Sequence, residues 1–104
     1  MAGMNSSVQE VILDLVLVDL GKTANSPAPQ INYLRSLIDV ATKEIERKGI
    51  TLDYNDVEHQ VLISRYAAYL YRKRIVTGED SKMPRSLQLS INELLFSQKG
   101  NPDA

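Results

Sequence analysis

The sequence predicts an all-α fold, a compact bundle of about four helices, and three observations lead to it. Residues 57–75, VEHQVLISRYAAYLYRKRI, place apolar side chains on two sides at helical spacing. Residues 29–48 carry one clean apolar stripe, Ile31, Leu34, Leu37, Ile38, Ala41 and Ile45, the strongest amphipathic signal in the chain. Gly21, Gly49, Pro27 and Pro84 fall between the periodic segments, where such residues stop or open helices. At 104 residues the chain fits a single domain, with an ordered core expected over about 7–96.

The first element follows a loose start, Met1 to Asn5. Ser7-Val8-Gln9-Glu10 has the form of a capping box, in which the serine hydroxyl and the glutamate satisfy orphan amides. The segment VILDLVLVDLG then runs to Gly21, a natural position for left-handed backbone. Val11, Ile12, Val16 and Val18 would also suit a strand, but a helix is the preferred reading. Its apolar residues occupy nearly every direction of the wheel, so it sits centrally or is covered by another subunit.

Lys22 to Gln30, KTANSPAPQ, is a loop broken by two prolines. Ser26 and Pro27 can serve as N-cap and first residue of the second helix, which runs from about Pro29 to Lys48. Tyr33 and Val40, seven apart, flank its stripe. Gly49 stops it, and Ile50 and Leu52 tuck back under the bundle.

Asn55 or Asp56 caps the third helix, around which the rest is organised. Leu62, Ile63, Tyr66 and Leu70 form one apolar face, and Val57, Val61, Ala68, Tyr71 and Ile75 another. Glu58, Arg65 and Arg72 make a polar strip between them, and Ala67-Ala68 lets a neighbour come close. A helix apolar on two sides is covered on two sides. It ends near Thr77-Gly78; after a polar loop from Gly78 to Met83, Pro84 opens a last helix to about Phe96. Leu87, Ile91, Leu94 and Leu95 face inward, whereas Leu89 and Phe96 point away. The tail from Ser97 to Ala104 is polar and expected to be disordered.

Net charge is −1, so the whole molecule has no electrostatic case for gripping nucleic acid or an anionic membrane. The distribution is uneven: residues 1–64 carry five basic and nine acidic side chains, residues 65–85 six and two. There is no cysteine, hence no disulfide framework or thiolate metal site, which fits a reducing cytoplasm. No signal peptide shows, and Asp14 and Asp19 interrupt an apolar run far short of the ~20 residues of a membrane span. A soluble protein that does not act at a membrane is expected.

Catalytic chemistry is not expected. The one histidine, His59, lies in the first turns of the third helix among Asp53, Asp56 and Glu58, acids that the helix N-terminus favours for structural reasons. No phosphate loop, nucleophile elbow or metal-ligand cluster shows, so no cofactor and no metal are expected. Tyr66, Tyr69 and Tyr71 interleave with Arg65, Arg72, Lys73 and Arg74. That pattern, with Arg85 on the polar side of the last helix, leaves a small helical DNA-binding regulator as the alternative. Lys73, Arg74 and Arg85 are its candidate DNA-facing residues.

Three segments, YLRSLIDVATKEIERKGI, RYAAYLYRKR and MPRSLQLSINELLF, together resemble the small head–tail connector proteins of long-tailed double-stranded DNA bacteriophages, also called head completion or adaptor proteins. Leu37, Ile38, Ala41 and Ile45 match the first family element. Tyr66, Ala67, Leu70, Tyr71 and Arg72 match the second, and Met83, Pro84, Leu87, Ile91 and Leu94 the third. The resemblance implies a structural phage or prophage protein. By that resemblance it is expected to form a homo-oligomeric ring, commonly of about a dozen subunits in the family, between the portal of the DNA-filled head and the head-closure or tail-side protein. The resemblance further implies that double-stranded DNA passes through the lumen and that the protein resides in the virion after assembly in the host cytoplasm. Glu58, Arg65 and Arg72, together with Leu89 and Phe96, are the candidate subunit or portal contacts, because both sets point away from the expected core at seven-residue spacing. Charge reversal at Arg65 and Arg72 is expected to impair assembly and leave the monomer folded.

Overall fold

A computed structural model describes residues 4–74 and 82–99. The described residues are all-α and form four helices: α1 (Ser6–Leu20), α2 (Ala28–Arg47), α3 (Val57–Lys73) and α4 (Arg85–Lys99). Among the described residues there is no strand, so α1 takes the helical alternative.

α3 is the element against which α1, α2 and α4 all pack, and α1 also packs on α2. The reason lies in its sequence. Leu62, Ile63, Tyr66, Ala67, Ala68 and Tyr71 are buried and point in several directions, and Ala67 and Ala68 are completely enclosed. With no side chain beyond Cβ there, neighbouring helices approach closely, and atomic contact replaces what longer side chains would otherwise fill. The α2 stripe faces this core: Leu34, Ile38, Ala41 and Ile45 are fully buried, with Ile31 and Leu37 half-buried at its margin. Thr42 is buried beside them, its hydroxyl donating to the Ile38 carbonyl at 2.8 Å. That local bond is what allows a hydroxyl in an apolar layer.

α1 contributes Val8, Ile12, Leu13, Val16 and Leu17 and turns Val11 and Val18 outward, so it is a one-sided helix rather than the centre. Its N-cap is Asn5, whose side chain accepts from the Val8 amide at 2.8 Å. This corrects the expected capping box: Ser7 and Glu10 lie inside the helix, and Glu10 is engaged by Arg35 of α2. At the other end Gly21 is left-handed (φ 69°). Its amide donates to the Val18 carbonyl and that of Lys22 to the Leu17 carbonyl, which satisfies two orphan acceptors.

Ser26 does not cap α2. Its hydroxyl donates to the Thr23 carbonyl at 2.8 Å, and Pro27, whose side chain can accept nothing, holds the cap position. α2 ends at Arg47 with Lys48 as its C-cap, and Gly49 follows at φ 99°, with Leu95 and Lys99 of α4 lying over it. Ile50 and Leu52 are buried as expected. Asp56 caps α3 by accepting from the Glu58 amide at 2.8 Å. Val57 departs from the two-faced wheel: placed on an apolar face by its angle, it is 68% exposed. It stands in the first turn, where α4 leaves most of it in water.

α4 buries only Leu87 and Ile91 completely and is held to the connector by a reciprocal pair: the Thr51 amide donates to Gln98 Oε1 and Gln98 Nε2 to the Thr51 carbonyl, each at 2.8 Å. The helix continues through Ser97–Lys99, which corrects the expected disordered tail over those three residues. Residues 100–104, Ile75 and the expected turn at Thr77-Gly78 lie outside the described residues.

Candidate functional site

The C-terminal end of α3, the N-terminal half of α2 and the α1–α2 loop meet in a corner of cations and aromatic rings. The Tyr33 and Tyr71 rings are tilted against each other with centroids 6.2 Å apart. The Arg74 guanidinium lies 4.2 Å from the Tyr71 centroid and 5.7 Å from that of Tyr33. Lys22 reaches the Tyr71 ring at 5.4 Å, and Lys73 sits 5.8 Å from the Tyr69 ring. Gln30 donates to the Tyr71 hydroxyl at 3.0 Å. The hydrogen bond from Arg74 holds the Tyr71 phenol below its usual range; that from Gln30 and the nearby charges of Arg74 and Lys22 act in the same direction, against desolvation. Of the sequence-chosen basic residues, Arg74 is in this corner, whereas Lys73 lies over Tyr69, on another side of α3. Arg85 is exposed at the start of α4. Lys22 and Tyr33 complete the corner although the sequence marks neither as a site, because a loop lysine acquires this neighbour only when α1 and α2 fold back on each other.

Further along α3 the tyrosines take a different role. The Tyr66 ring is buried, edge-on to Tyr69 with centroids 6.0 Å apart, and its hydroxyl donates to Glu44 at 2.8 Å. Burial first, and then the Glu44 carboxylate, raises the Tyr66 phenol well above its usual range. Tyr54 in the connector is raised by burial and Glu46 in the same way. These are packing tyrosines with a polar tip satisfied at the edge of the core.

The strip Glu58–Arg65–Arg72 keeps its alignment on α3, but the two arginines have different neighbours. Arg65 donates through its two terminal nitrogens to Ser90 at 3.1 Å and Ser86 at 3.0 Å, which ties α3 to α4. Arg72 donates to the Asp19 carbonyl at 2.8 Å, with the Asp19 carboxylate 3.6 Å away, and so reaches α1. Glu58 is exposed and lies on the rim of a groove of about 470 Å³ between α3 and α4. Val57, Val61, Leu62 and Leu94 supply its apolar walls, while Glu58, Glu93 and Arg65 supply its charge. His59 also lines the groove, but its Nδ1 accepts from the Asp53 amide at 2.8 Å, which uses the ring to fasten the connector.

Apolar side chains remain in water on every described helix, Val57 alone on α3 and pairs on the other three. Leu89 and Phe96 point out from α4 as the sequence indicated, with Phe96 79% exposed. Val11 and Val18 do the same on α1, where Val18 is 78% exposed, and Tyr33 and Val40 on α2. Single exposed apolar residues are ordinary; pairs repeated at seven residues on three helices form ridges that partners can cover.

Among the described residues no group of three or more His, Cys, Asp or Glu side chains is placed to hold a metal ion, and no helix is long and apolar enough to cross a membrane. Comparison with protein-family models, with curated proteins and with solved structures finds no match for this chain.

Proposed function

We propose that this protein is a structural subunit of the head–tail connector type, assembling into a homo-oligomeric ring between the portal of a phage or prophage head and its head-closure or tail-side protein. The observation that carries the reading is the set of apolar ridges on separate helices: Val11/Val18 on α1, Tyr33/Val40 on α2 and Leu89/Phe96 on α4. Several distinct ridges on one small bundle suit a subunit that meets a neighbour on each side and further proteins above and below. A ring needs heterologous contacts, in which one patch meets a different one. In this reading DNA passes through the lumen without chemistry. A net charge of −1 fits such passage, since each phosphate a channel neutralises adds salt-dependent grip. The protein would reside at the head–tail interface of the virion after assembly in the host cytoplasm.

The test is mass by light scattering over a concentration series, with and without the candidate portal protein, followed by negative-stain imaging. A closed ring, alone or on the portal, is expected. A particle that stays monomeric in both conditions would overturn the reading.

A second reading, a small DNA-binding regulator, draws on the corner where Lys22 and Arg74 lie against Tyr71 and Tyr33, and on Lys73 over the Tyr69 ring. It requires a dimer that shifts duplex DNA at low salt and releases it as salt rises. The connector reading is preferred because two of those cations are already stacked on Tyr71.

A further inference from the structure

We propose that the outer stripe of α1, Val11–Leu15–Val18, docks on the outer stripe of α2, Tyr33–Leu37–Val40, of a second copy. The inference rests on the assembly reading above and names the interface it needs. Both stripes have the spacing i, i+4, i+7, which puts three side chains in line over about 10 Å of helix. In each the outer two residues are exposed and the middle one half-buried, so each forms a ridge with a shallow centre. That is the pattern of a seam between two helices, in which side chains repeat every seven residues.

The stripes cannot meet within one molecule. Glu10 and Arg35 form an ion pair that marks the side on which α1 and α2 face each other. Counting at 100° per residue, Val11 and Val18 lie roughly 90° around α1 from Glu10, and Tyr33 and Val40 roughly 150° around α2 from Arg35. The two ridges therefore occupy different flanks of the α1–α2 pair, the arrangement that head-to-tail contact requires.

Charge selects between pairing a stripe with itself and with the other. The α1 stripe carries exposed Asp14 between its valines, and Asp19 follows Val18 at the negative end of the helix. The α2 stripe has Arg74 over the Tyr33 ring and continues past Val40 into exposed Lys43 and Arg47, whose charge is only partly offset by exposed Asp39 and by Glu44, which accepts from Tyr66. Among the described residues neither Asp14, Lys43 nor Arg47 is in an ion pair. Pairing the α1 stripe with itself would oppose carboxylates, and pairing the α2 stripe with itself would leave its excess of cations unmatched. A parallel pairing of the two different stripes puts Asp14 near Arg74 and the C-terminal end of α1 near Lys43 and Arg47. Three apolar side chains from each copy are fewer than a standard interface supplies, so a single contact is weak and concentration-dependent, and closure of a ring strengthens it.

The test uses two full-length variants, Val18→Asp and Val40→Asp, each checked for wild-type helicity and melting temperature. A carboxylate buried without a partner should weaken the contact about a hundredfold or more. Each variant alone is expected to stay monomeric where wild type associates. Mixed one to one they should form a heterodimer and stop there, because one intact α1 stripe and one intact α2 stripe remain. Raising the salt should weaken that heterodimer. If wild type forms rings and either variant assembles equally well, the inference falls and the connector reading survives. A heterodimer that forms, from a protein whose wild type never engages a portal, would keep the inference and remove that reading. A mixture that stays monomeric overturns the inference.

Discussion

Replacing Arg65 with methionine removes the guanidinium and keeps most of the stem, so it isolates the polar clamp between α3 and α4. Two hydrogen bonds are lost, to Ser90 at 3.1 Å and Ser86 at 3.0 Å. A bond to a charged donor contributes about 1.5–3 kcal/mol when sheltered. Here Arg65 is half-exposed, Ser86 is exposed, and Ser90 already donates to the Ser86 carbonyl at 3.0 Å, so water replaces part of what is lost. The two together should therefore contribute about 1–2 kcal/mol. For a domain near 100 residues that lowers the melting temperature by roughly 5–15 °C. Arg72→Met is the control: its side chain is 54% exposed, and its loss should cost about 0.5 kcal/mol. Urea unfolding supplies the free energies, and hydrogen exchange locates the loss, which should fall on the α4 amides. A cycle with Ser90→Ala should show coupling of about 0.5–1 kcal/mol. A stability within about 0.3 kcal/mol of wild type would refute the clamp, as would a loss spread evenly over all four helices. The outcome also bears on assembly, since charge reversal at Arg65 would loosen α4 before it tested any subunit contact.

Four further outcomes are expected. Ile63→Ala, at a fully enclosed position on α3, should cost about 2–5 kcal/mol in urea unfolding, whereas Val57→Ala six residues earlier should stay within about 0.5 kcal/mol of wild type. Gly21→Ala should destabilise by about 1–2 kcal/mol through backbone strain alone, because φ is 69° and no atom lies within 4 Å of an added Cβ. In a spectrophotometric alkaline titration Tyr71 should ionise before Tyr66, so Tyr71→Phe deletes an early step and Tyr66→Phe a late one; stabilisation tied to neutral Tyr66 is present below the ordinary phenol range and lost as pH rises through its raised value. The hydrogen bond from Arg35 lowers Glu10, so that pair stabilises above the ordinary carboxylate range and is lost as pH falls through the lowered value; wild type and Arg35→Ala should converge in acid and separate toward neutrality, and parallel curves would count against the pair.

Much of the fold is legible in the chain itself. The α2 stripe at 3.6-residue spacing, the left-handed glycine after Leu20 and the two apolar sides of α3 are each local patterns with a local cause. The misread positions are of another kind. Ser7 and Ser26 are both good caps by composition, but Asn5 lies where its side chain reaches the Val8 amide, and the Ser26 hydroxyl is taken by Thr23. A helical wheel gives the direction of Val57 and of Arg65; it does not say that the first is left mostly in water at the edge of a groove or that two serines stand opposite the second. The corner around Tyr71 was half legible. Arg74 follows it closely in sequence, whereas Lys22 and Tyr33 arrive through the turn between α1 and α2.

The tyrosines have one more consequence. The chain has no tryptophan, and its five tyrosines lie at 33 in α2, at 54 in the connector and at 66, 69 and 71 in α3. α1 carries no aromatic residue, and α4 carries only the outward-facing Phe96. Near-ultraviolet dichroism and intrinsic fluorescence thus see the α2–α3 seam and are almost blind to the other two helices. A molecule whose α4 had come away would still give a native optical signature in that range, while its far-ultraviolet ellipticity had already fallen. Overlay of the two transitions is therefore the direct measure of whether α4 melts with the bundle or ahead of it.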